Sequence, residues 1–68
     1  MTDIKAIFKK HGYTNVENEI DDLIEGYEVH FDMNDDHITD LANDINATKD
    51  FIAYLDNSTD FMIIEKDI

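Results

Sequence analysis

Apolar residues recur along the chain with two different periods, and the change of period marks out its elements. Ile4, Ile7 and Phe8 share a helical face that Thr2 can cap at its start. Lys9, Lys10 and His11 fall in the last turn, where positive charge suits the macrodipole; Gly12 and Tyr13 then spell a left-handed stop with its hydrophobic contact. Thr14 and Glu17 stand at capping-box spacing ahead of a second stripe, Val16, Ile20, Leu23, Ile24 and Tyr27, closed by Gly26. From Tyr27 the period falls to two. Tyr27, Val29, Phe31 and Met33 alternate with Glu28, His30 and Asp32, which predicts a half-buried strand. A third helix, capped from Asn34, Asp35 or Asp36, turns Ile38, Leu41 and Ile45 inward. Asn46-Ala47-Thr48 predicts a break and a fourth helix carrying Phe51, Ile52 and Leu55. Asp56 to Asp60 reads as a turn, and Phe61 to Ile64 as a buried strand. The expected fold is one α+β domain over residues 1–68, in the order ααβααβ, with a two-stranded sheet packed by helices.

Charge changes this picture more than size does. The 68 residues include 43% apolar positions and seven aromatics, enough for a core despite a net charge of −12. Between His11 and Thr48 stand eleven carboxylates and no lysine or arginine. Glu17, Asp21 and Glu25 are spaced i, i+4, i+8, and so are Asp36, Asp40 and Asp44. In a helix each set forms a ladder of like charges, costing about 0.2–0.5 kcal/mol per neighbouring pair. Asp21, Asp22, Glu25 and Asp44 also fall at the helix end that disfavours anions. A solvated face that keeps the protein in solution explains one such ladder. Two ladders with no bases between them point to a binding surface. The rungs rise about 6 Å apart, close to the roughly 6–7 Å between successive phosphates of one nucleic-acid strand. Carboxylates also accept bidentate hydrogen bonds from arginine as phosphates do. The candidate contact residues are Glu17, Asp21, Asp22, Glu25, Asp32, Asp35, Asp36, Asp40 and Asp44.

Other chemistries fare worse. The absence of cysteine excludes disulfides, thiolate metal sites and iron–sulfur clusters. Asp32-Met33-Asn34-Asp35-Asp36 matches the opening of a calcium-binding EF-hand loop, but His37 replaces the glycine at position six and Asn43 the glutamate at position twelve. His11, His30 and His37 are not at ligand spacing, so no metal and no cofactor is expected. Ser58, the sole serine, sits in the acidic turn, and both glycines end helices, so no catalytic centre is expected. An acyl carrier protein, similar in size and charge, would need its attachment serine at the start of a central helix, whereas Ser58 comes late. No apolar run is long enough to span a membrane, and Met1 to Lys5 carries no leader pattern, which predicts a cytoplasmic protein. Ten isoleucines, six asparagines and no arginine fit the AT-rich coding of some bacteria and their phages.

In size, charge and acidic-ladder pattern the whole chain resembles the small acidic inhibitors that phages encode against host defences, the anti-CRISPR and anti-restriction proteins. That resemblance implies a nucleic-acid mimic that blocks the basic DNA-binding groove of a host defence nuclease, without itself binding nucleic acid or membrane. A second reading is an adaptor, antitoxin or immunity-type regulator that anchors on a basic partner through Tyr13, Tyr27 or Tyr54, with the acids serving to steer.

Overall fold

Asp3 caps the first helix: its carboxylate accepts the Ala6 amide at 3.1 Å, and helix α1 (Ile4–Lys10) begins there. The computed structural model describes residues 3–34 and 36–67, so Thr2 and Asp35 lie outside the described residues. Helix α1 ends as its sequence requires. Gly12 takes φ 86°, the Tyr13 amide donates to the Phe8 carbonyl, the Gly12 amide donates to that of Lys9, and the Tyr13 ring meets Phe8 edge-on at 5.9 Å. Helix α2 (Glu17–Glu25) starts at Val16 with no side-chain cap, so the Thr14 capping box does not form. It closes on Gly26 at φ 101° through the same pair of backbone hydrogen bonds.

Strand β1 (Val29–Asp32) is shorter than the alternating run that predicts it. Asp32 accepts the Asn34 amide at 2.9 Å and turns the chain. Helix α3 (Ile38–Thr48) begins at His37 without a side-chain cap, so neither Asn34 nor Asp36 performs that task. The helix runs through Asn46 without a break and ends with Lys49 in the left-handed region at φ 64°.

Beyond Lys49 the chain departs from the expected order. Phe51, Ile52 and Leu55 belong to strand β2 (Phe51–Asp56), not to a fourth helix. Strand β3 (Phe61–Lys66) returns antiparallel to it, giving the order ααβαββ and a three-stranded antiparallel sheet β1-β3-β2 in place of the expected ααβααβ with two strands. The reason lies in β3. Met62, Ile63 and Ile64 are all buried, so this strand needs a neighbour on each side, and β1 supplies only one. The β2–β3 hairpin is pinned by Asp56, whose Oδ1 accepts from the Ser58 amide at 3.0 Å and the Ser58 hydroxyl at 2.7 Å. These hydrogen bonds, with those of Thr59, hold the Asp56 carboxyl below its ordinary pKa.

Register divides the sheet into two faces. Val29, Phe51, Ala53, Met62 and Ile64 join Ile4, Phe8, Ile20, Leu23, Ile38, Leu41 and Ile45 in one core under the helices. The other face carries His30, Asp32, Ile52, Tyr54, Asp56, Phe61, Ile63 and Glu65. The free edge of β2 is sealed by α3. The Asn46 amide donates to the Ala53 carbonyl at 3.0 Å and its oxygen accepts the Ala53 N–H at 2.8 Å. Asn46→Ala should cost about 1 kcal/mol in urea unfolding, near the low end for two neutral hydrogen bonds because water reaches this edge. It should also leave β2 open to strand addition, read as concentration-dependent self-association.

Candidate functional site: the acidic surfaces

The α2 ladder forms as the spacing requires. Glu17, Asp21 and Glu25 are exposed along one helix, with Asp22 exposed beside them and no basic residue in the last turn. No ion pair among the described residues involves Asp21, Asp22 or Glu25. This face is not bare of lysine, however. Lys5 and Lys9 line a cleft of about 240 Å³ together with Glu17 and Ile20. Lys5 and Lys66 line a larger groove of about 520 Å³, whose walls include Ile4, Ile24, Phe51 and Asp21.

The second ladder does not form. Asp36 lies in the turn before α3, outside the helix, and Asp40 stands exposed in the first turn, where the macrodipole favours it. Asp44 is taken by its own chain: His11 Nε2 lies 2.6 Å and Lys10 Nζ 3.1 Å from its Oδ2. The hydrogen bond with His11, then that from Lys10, lowers the Asp44 pKa below 3.8. A carboxylate at the wrong end of α3 is therefore offset by the basic end of α1. Because the folded pKa is depressed, this contribution is present above pH 3.8 and is lost as pH falls through the lower folded value. Asp44→Asn should therefore show a shallower loss of stability than the parent in urea titrations taken down to about pH 2.

Of the remaining predicted contacts, Asp32 is exposed at the end of β1, though one oxygen holds the turn, and Asp35 lies outside the described residues. Tyr13 is half-buried, with its ring 5.8 Å from Phe31 as well as against Phe8. Tyr27 and Tyr54 are exposed. Among the described residues, no three histidine or carboxylate side chains are grouped to hold a metal ion, and no helix is long and apolar enough to cross a membrane.

The outer face of the sheet was not foreseen from the sequence. Its middle row is His30, Ile63 and Tyr54, the next Asp32, Phe61 and Asp56, and the third ends in Glu65 and Ile52. His30 pairs with Glu28 at 3.2 Å and its ring lies 6.0 Å from Phe61. Partial burial, then the charges of Glu65, Glu28 and Asp56, hold the Tyr54 hydroxyl above its ordinary pKa of 10.0. Asp56, two positions along β2, and Glu65, diagonally across on β3, share the face of this exposed ring. The sequence signal for this face was the five-residue turn between two apolar runs, a hairpin mark once β2 is read as a strand.

No family model, curated protein or solved structure matches the chain.

Proposed function

We propose that the protein is a non-enzymatic inhibitor that fills a basic groove of another protein, one that this partner otherwise uses for nucleic acid. The observation that carries the reading is the placement of charge. None of the described carboxylates is buried, and the net charge of −12 sits on a body of 30 × 25 × 22 Å. Such a density repels phosphates and draws in a basic protein surface, raising the rate of encounter. On α2, Glu17, Asp21 and Glu25 repeat the spacing of a phosphate backbone over about 12 Å. Asp22, Asp32 and Asp40 add to the field, while Asp36 stands off the helix and Asp44 is already paired. Acids on the α2 side and on the outer face of the sheet suit a groove with basic walls on both sides. A host defence nuclease, as the acidic phage inhibitors target, is a partner of this kind.

Immobilised protein should retain such a partner from a bacterial lysate at low salt, and duplex DNA should release it while an uncharged polymer of equal mass does not. Release indifferent to DNA would replace this reading with the adaptor reading, which the exposed Tyr27 and Tyr54 favour.

A further inference from the structure

We propose that the outer face of the sheet is the docking face for an arginine-bearing surface of a partner protein, with a guanidinium stacked on Tyr54 and Phe61 and forked to the carboxylates around them. This rests on the reading that the partner is a basic protein, and it names the contact and the side chain recognised.

The helices and the core occupy the other side of the sheet, so none of the described helices covers this face. Its centre is apolar: Ile63 is 7% exposed, shielded within its row by His30 and Tyr54, while Tyr54 is 41% and Phe61 40% exposed. Its rim is acidic, with Glu28, Asp32, Asp56 and Glu65, and the strand positions that form the face include no lysine. A second copy of the chain is a poor occupant. A two-fold contact would bring this rim against itself, and like charges facing one another across an interface are disfavoured.

A basic partner meets the opposite condition, and the aromatic centre selects within basic chemistry. Ammonium groups are compact and strongly hydrated. Guanidinium is planar, stacks on aromatic faces and matches a carboxylate with two parallel hydrogen bonds. Tyr54 shares its face with Asp56, two positions along β2, and Glu65, diagonally across on β3, so both halves of that recognition lie in one place.

The test is an amide-shift titration of the ¹⁵N-labelled full chain with an arginine-rich peptide and a lysine-rich peptide of equal length and charge. The arginine peptide should bind about three- to five-fold more tightly, with shifts centred on His30, Tyr54, Phe61 and Ile63. Tyr54→Ala with Phe61→Ala should erase the preference for arginine while leaving the amide spectrum folded. Glu28→Gln with Glu65→Gln, which keeps the rings, should weaken both peptides. Equal affinity for the two peptides, shifts confined to Glu17, Asp21 and Glu25, or self-association through this face without peptide would each overturn the proposal and leave the basic-partner reading standing. Failure of both peptides to bind at low salt would remove that reading itself.

Discussion

Phe8→Ala should leave folded and unfolded chains in comparable amounts at room temperature. The Phe8 side chain has no exposed surface, and its ring lies 5.9 Å from Tyr13 and 5.5 Å from Phe31, which also touch each other. This trio joins the end of α1 to strand β1, and the Tyr13 contact is also part of the turn that stops the helix. Truncating a buried phenylalanine costs about 3–5 kcal/mol through lost transfer energy and the cavity left behind. A domain of this size holds roughly 3–5 kcal/mol in all. The folded and unfolded populations should therefore become comparable, read as loss of the cooperative urea transition by far-UV circular dichroism. Phe8→Leu keeps most of the apolar volume and should retain the transition at a lower midpoint. A folded Phe8→Ala within about 1 kcal/mol of the parent, a shift ordinary for a mild substitution, would mean that the trio does not organise the core.

Helix stops and inward stripes of this fold were legible along the chain, while the starts of α2 and α3 and the non-local pairings were not. Phe8, Gly12 and Tyr13 lie within six positions of one another, so the stop of α1 could be read directly. The inward stripe of α3, Ile38, Leu41 and Ile45, needs only helical periodicity. Phe51, Ile52 and Leu55 suit a helix or a strand equally. What decides between them is the need of β3 for a second neighbour and the grip of Asn46 on Ala53, neither of which is a property of that segment. The acidic surface divides in the same way. Glu17, Asp21 and Glu25 share one helix, so their spacing is their geometry. Asp44 has the same spacing from Asp40, but its charge is met by Lys10 and His11 from more than thirty residues away. The outer face of the sheet exists only once three strands are placed in register, and no window of the sequence contains it.

Asp21→Asn with Glu25→Gln should make the protein more stable and a poorer binder. The double change removes both neighbouring like-charge pairs of the α2 ladder, about 0.2–0.5 kcal/mol each, and one anion from the unfavourable end of the helix, about 0.3–1 kcal/mol. Helix propensities hardly change, because each amide replaces its own acid. A gain of about 1–2 kcal/mol results, raising the melting temperature of a domain this small by roughly 4–15 °C. Most of that gain should vanish in about 1 M salt, where screening already quiets the ladder in the parent chain. Affinity for a basic partner should fall on the order of tenfold at low salt, with much of the loss in association rate. The two halves of the result separate the meanings of the ladder. Greater stability with unchanged binding would make it a solvated face with no part in recognition. Greater stability with weakened binding would mean that this chain retains a repulsive row of charges because a partner relieves it. A variant no more stable than the parent would show the rungs too well hydrated to repel each other, and the ladder would lose its standing as a costly feature in need of a partner.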